Sequence, residues 1–151
     1  MGLPHVAETL NWGHYLVYWA ADREIGGKMF AMTDLDGTGA GVLMFHCGAE
    51  RYHELLESDG VVPAPHLARA HWVMLERWDA LRPREIEAEL RRAHALTLEK
   101  LPQRTRTLLE LVETERKRVI RDHRAARAGT GEKPAKSGAA AGRKKTATVK
   151  K

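Results

Sequence analysis

Whatever this chain folds into must be assembled before residue 129. Beyond Gly129 the sequence is mostly Ala, Gly, Lys, Thr and Pro, with Val149 as its one large apolar side chain. A segment that can bury so little apolar surface does not recover the entropy lost on ordering, so residues 129–151 are expected to be disordered. About 100 to 125 residues remain for the fold, enough to bury well over half of their unfolded surface around one core.

Charge divides the chain at nearly the same place. Residues 1–100 carry ten Lys/Arg and fifteen Asp/Glu, whereas residues 101–151 carry fifteen and five. The whole-chain charge of +5 therefore averages an acidic body of −5 and a basic C-terminal part of +10. A basic arm on an acidic domain points to an anionic polymer as partner, nucleic acid first. The longest apolar run, Leu16 to Ala21, is far shorter than the roughly 20 residues of a spanning helix. The opening residues have neither the basic start nor the apolar stretch of a secretory signal. A single cysteine, Cys47, excludes an internal disulfide and a multi-thiolate zinc site. These features lead us to expect a cytoplasmic protein with no membrane partner, nucleoid-associated if the source is bacterial.

Periodicity supplies the elements. Residues 14–20, 28–33 and 41–46 are rich in aromatic and β-branched side chains and read as strands. Gly26-Gly27 and Asp36-Gly37 are turn signals between them, so the three should form an antiparallel meander. Residues 49–58 place Ala49, Tyr52, Leu55 and Leu56 on one helical face, with Gly60 as the stop. Val61-Val62, bounded by Pro63 and Pro65, belongs at a sheet edge or in a loop. Residues 71–75 read as a further strand. Pro83 opens a helix to Leu101, with Ile86, Leu90, Ala93, Thr97 and Leu101 facing inward and Glu87 paired to Arg91 on the outside. After Pro102 a single charged helix is expected over 103–128, with Leu108, Leu111, Val112, Val119 and Ile120 on one side. The order predicts an α+β domain over residues 1–102, with about five mostly antiparallel strands and helices on one side.

Several residue groups resemble chemistry. Asp34-Leu35-Asp36-Gly37-Thr38 matches the DxDGT signature of metal-dependent haloacid-dehalogenase phosphatases, in which the first Asp attacks phosphorus. That chemistry requires a parallel strand leading into a crossover and a second acidic pair downstream. Here Gly39-Ala40-Gly41 leads directly into a return strand, and the downstream body offers only isolated aspartates. A hairpin turn with solvated carboxylates is the expected reading, and no catalytic residue is assigned. His46, Cys47 and His53, or His66 and His71, have no recognised ligand spacing, so neither a metal site nor a cofactor is expected. Of the four tryptophans, most are expected in the core rather than in a base-stacking platform.

Two stretches resemble a known family. Leu3-Pro4-His5-Val6-Ala7-Glu8-Thr9 with Asn11-Trp12-Gly13, followed by Gly26-Gly27-Lys28-Met29-Phe30-Ala31, is similar to the opening of the MmcQ/YjbR family. Residues 63–73, with Pro63, Ala64, Arg69, Trp72 and Val73, resemble its second signature. Together with the helix into Lys100-Leu101-Pro102, the resemblance covers residues 3–102. It implies a compact domain described as frataxin-like or secretion-chaperone-like, without established catalysis, whose members are labelled DNA-binding. Family members usually carry a helix before the Leu-Pro-x-Val segment, at which this chain begins. Carried over by position, Lys28, Arg69 and the neighbouring His71 are candidates for a surface on the domain.

The sequence thus predicts a non-enzymatic, sequence-nonspecific DNA-binding protein. Its phosphate contacts are expected at Lys133, Lys136, Arg143, Lys144, Lys145, Lys150 and Lys151, assisted by Arg116, Lys117, Arg118, Arg121 and Arg124. Nothing in the tail can read base edges, because no folded element there fits a groove. The alternative is a protein-interaction module, with the sheet or the 103–128 helix docking a protein partner.

Overall fold

The computed structural model describes residues 2–37, 39 and 41–129. Its elements are β1 (Val6–Asn11), β2 (Tyr15–Ala20), β3 (Lys28–Asp34), β4 (Leu43–His46), α1 (Ala49–Leu56), β5 (Val61–Pro63), β6 (Trp72–Leu75), α2 (Pro83–Glu99), α3 (Gln103–Leu109) and α4 (Glu113–Gly129). Short 3-10 turns occupy Arg23–Ile25, Ala68–Ala70 and Trp78–Ala80. The strands form one sheet in the order β1-β2-β3-β4-β6-β5, with every neighbouring pair antiparallel. The α+β class and the meander stand as expected, with six strands in place of about five.

The additional strand is β1. Its residues are half-buried or exposed because it lies at the sheet edge. An edge strand so lightly covered has little hydrophobic alternation to reveal it. The opposite edge, β5, ends at Pro63, whose missing N–H suits an unpaired edge.

Register explains how the core is shared between the two faces. Tyr18 pairs with Ala31 but Trp19 pairs with Met29, so Phe30 is an extra residue on β3. That bulge turns both Phe30 and Ala31 toward the helices. They join Ala20, Leu43, Phe45, Val73 and Leu75 under Leu55 of α1 and Ala93 of α2. The other face holds Val17, Trp19, Met32, Ala64, Trp72 and Met74, and no residue of a described helix joins that cluster. Helices therefore lie on one side of the sheet, as the pattern predicted. Glu89 of α2, buried among them, is paired with Arg51 of α1 and ties the two helices together.

The region expected as one helix over 103–128 is two helices, and the reason is geometric. Thr105 Oγ1 donates a buried hydrogen bond of 2.6 Å to the Ile25 carbonyl, while Arg127 pairs with Glu24. In a straight helix residues 105 and 127 would be about 33 Å apart, so they cannot both reach the same turn. The chain folds back at residues 110–112. The Arg116 guanidinium there donates to the carbonyls of Leu109 (3.3 Å) and Leu111 (2.7 Å). Gly26, at φ 93°, closes the 23–25 turn where a side chain would collide with Thr105.

Candidate polyanion interface

α4 has two unlike faces. Its inward side carries Val119 and Ile120, which pack with Ala21, Ile25 and Leu101, and three polar residues that hold the 22–25 turn. Arg124 pairs with Asp22 at 3.5 Å, and Arg127 and Arg124 both engage Glu24. The His123 ring nitrogen Nδ1 lies 3.1 Å from the Glu24 carbonyl. Glu24 keeps only 5% of its side chain exposed. On the outward side, Arg118 and Arg121 are exposed and form no ion pair among the described residues. Lys117 is exposed and bonded to Glu113 at 2.6 Å.

The five helix cations assigned to phosphate contact thus differ in availability. Arg116 holds the α3–α4 turn, Lys117 has a carboxylate partner one turn away, and Arg124 is turned toward Asp22. Arg118 and Arg121 face solvent. Helix α4 extends through Gly129, one residue beyond the expected boundary of the tail. Lys133, Lys136, Arg143, Lys144, Lys145, Lys150 and Lys151 lie outside the described residues.

The three domain positions have a different setting. Lys28 begins β3 and is exposed, its Nζ 3.5 Å from the Lys100 carbonyl at the end of α2. His71 precedes β6 at φ 63°, with its ring edge-on to Tyr52 at 5.3 Å and its carbonyl accepting the Cys47 N–H at 3.0 Å. Between them His46 ends β4, paired with Trp72 and only 8% exposed. Burial, then Lys100 and then His71 hold the His46 imidazole below its ordinary pKa. The same end of the sheet therefore gathers Lys28 and His71 and adds His46 and Lys100, which sequence reasoning did not assign to this surface. Arg69 is exposed in the turn just before His71.

The other motifs resolve into structural roles. Asp34 ends β3, and its two oxygens accept the N–H groups of Asp36 (3.1 Å), Gly37 (3.1 Å) and Gly39 (2.6 Å). Desolvation is the largest single influence and raises its carboxyl pKa, but the three backbone bonds and then His14 together bring it below the ordinary value. The connection leads from β3 to antiparallel β4, so the carboxylate staples a hairpin loop. His46 and Cys47 lie on opposite faces, as strand alternation requires. Burial first, then Glu89, raises the Cys47 thiol to about 11, and its Sγ donates to the His71 carbonyl at 3.1 Å. No group of three His, Cys, Asp or Glu is placed to hold a metal among the described residues. Trp19 and Trp72 are buried, but Trp12 and Trp78 are exposed, so the expectation that most tryptophans are core is corrected. Trp12 occupies the β1–β2 turn at φ 52°, its half-exposed ring edge-on to Tyr15 at 6.1 Å. No described helix is long and apolar enough to cross a membrane.

A single antiparallel sheet of six strands, with helices on one face and a helical C-terminal extension, defines the class. The YjbR family model matches residues 1–96, and the chain belongs to that family. No curated protein matches it. Among solved structures it is similar to Deinococcus radiodurans protein DR2400, a crystal structure with a DUF419 domain. The two are 24% identical with a TM-score of 0.56, over 78% of this chain and 80% of that one. That likeness concerns the fold. Helices α3 and α4 and the basic segment beyond them fall outside the matched family region.

Proposed function

We propose that this protein is a non-enzymatic, cytoplasmic DNA-binding protein of the MmcQ/YjbR type that grips duplex without regard to sequence. The reading rests on one observation. A net-acidic family domain is followed by a segment of net charge +10, whose described part presents Arg118 and Arg121 on an open helical face. The Lys/Arg residues beyond α4 continue that charge, and the ion pairs of Arg124 and Arg127 fix its base to the body. Lys and Arg side chains bind backbone phosphates and release condensed counterions, which makes affinity depend steeply on salt.

Mobility shift of the full-length protein on a short duplex, titrated with salt, tests this. Seven engaged tail cations give a slope of log K against log salt near −6, from about −0.9 per phosphate. Changing those seven residues to Gln in the full chain should flatten the slope and lower affinity sharply. An unchanged slope and affinity would exclude the extension as the contact.

A second reading has its own observation. Leu10, Trp12 and Leu35 are exposed at one end of the sheet, where the Leu35 N–H bonds the His14 carbonyl beside the β1–β2 turn. An exposed apolar group of this kind suits a protein partner. Such a complex would survive salt that dissolves phosphate contacts.

A further inference from the structure

The end of the sheet opposite the β1–β2 turn carries a second cationic group, independent of the C-terminal extension. Antiparallel registry brings the start of β3, the end of β4 and the start of β6 to the same place. Lys28, His46 and His71 occupy those three positions, and Lys100 joins them from the end of α2 through its carbonyl contact with Lys28. α1 starts two residues beyond Cys47 with no side chain capping its first turn. The exposed carboxylates nearest in sequence, Glu50 and Glu99, form no ion pair among the described residues.

His46 distinguishes this group from an ordinary solvated patch. The imidazole is more than nine-tenths buried, and its Nδ1 is sealed from solvent with no hydrogen-bond partner among the described residues. A proton on Nδ1 would be a buried donor with no acceptor, which is costlier than an unused lone pair. The neutral ring therefore carries its proton on Nε2, the nitrogen that is not sealed. An imidazole N–H whose ring feels the charge of Lys100, with the Lys28 ammonium held against the Lys100 carbonyl, is a donor set for an oxyanion.

We propose that His46, His71, Lys28 and Lys100 form a binding site for a phosphate-bearing ligand at this end of the sheet. The lysines supply charge, and His46 Nε2–H with the His71 ring supplies directed donors. His71 is held in place by Tyr52 and by the bond from Cys47 to its carbonyl, so the site is largely built before a ligand arrives. A bound anion favours the protonated form of His46, so phosphate must raise the pKa of that ring relative to the free protein.

The test is NMR of the histidine ring protons in the full-length protein, titrated with inorganic phosphate while chloride holds ionic strength constant. The expected result is saturable movement of His46 and His71, with a higher His46 pKa at saturation. The exposed pair Lys28→Gln and Lys100→Gln should weaken binding roughly tenfold or more without disturbing the sheet amides. A nucleoside 5′-monophosphate and a short duplex, each added to the variant with seven Gln in the tail, separate the two sources of phosphate. Movement with the monophosphate alone assigns a small phosphorylated ligand, and movement with duplex as well assigns the nucleic acid backbone. Histidines that do not respond, that respond equally to chloride, or that titrate unchanged in the double lysine variant would overturn the site. Because the tail cations are absent from those arms, failure here leaves the proposal for the extension standing, and the reverse also holds.

Discussion

The body and the C-terminal extension of this protein are held by different forces. In the sheet, Phe30, Phe45, Val17, Val73 and Leu75 are entirely or almost entirely removed from water. In α4 no residue is buried, and docking rests on Val119, Ile120 and a set of ion pairs to the 22–25 turn. Salt does not screen apolar burial, whereas it does screen ion pairs near the surface. The contrast teaches that one molecule can offer a rigid domain and a helix whose attachment is set by ionic conditions. A polyanion that attracts Arg124 and Arg127 would compete with Asp22 and Glu24 for the same guanidinium groups.

The largest expected effect tests the body. Phe45 is fully buried on β4, between β3 and β6 at the centre of the sheet. Phe45→Ala would leave a cavity among Phe30, Val73 and Leu75 and cost about 3–5 kcal/mol. Urea unfolding should show this as a lower midpoint, with α3 and α4 lost in the same transition as the sheet. A midpoint close to that of the parent would mean that the apolar core is not what sustains the body.

A smaller, local effect tests the extension. Glu24→Gln leaves Arg127 and Arg124 facing a neutral amide in a nearly buried position, at a cost of about 1–3 kcal/mol. The cost should be confined to α4, whose amide hydrogens would exchange roughly tenfold or more faster while β2 to β4 keep their protection. Raising salt on the parent should move α4 the same way and add little in the variant. Equal protection of α4 in both proteins would make the apolar contacts of Val119 and Ile120 the true anchor.

Much of this division is legible in the sequence, and the exceptions share a cause. Strong periodicity reveals β2, β3, β4 and α2, because each buries a full face; the Glu87–Arg91 pair expected on α2 is present at 3.7 Å. β1 is nearly silent because an edge strand buries little. The break between α3 and α4 has no Gly or Pro to mark it, and Leu111-Val112 continues the apolar pattern across it even though Val112 is exposed. The signal that was available is the acidic start Glu113 and Glu115, which favours a new helix N-terminus. The sheet-end group was half visible. Lys28 and His71 could be named, but only strand registry and the fold of α2 bring His46 and Lys100 to them. Glu89, buried in a helix with charged residues on either side, is invisible to any reading that assigns charge to the surface.

Acid should weaken the two regions unequally, and this is the smallest of the expected effects. His94 of α2 is 3% exposed, edge-on to Phe30 at 5.2 Å, and its Nε2 has no partner among the described residues. Burial lowers its pKa from the ordinary 6.5, a hydrogen bond to the Pro4 backbone opposes the shift, and His5 adds to it. Between that lowered value and 6.5 the unfolded chain binds a proton that the folded body does not. Stability from this group is therefore complete above 6.5 and declines as pH falls below it, until the folded ring itself titrates. His46 acts in the same direction. In α4 the one histidine, His123, is exposed beside a backbone carbonyl, and no residue of that helix is buried. Urea midpoints taken from about pH 8 down to about pH 5 should fall, and less steeply in His94→Gln. A decline of the same slope in that variant would place the acid sensitivity outside the core and remove the distinction between a body sensitive to protons and an extension sensitive to salt.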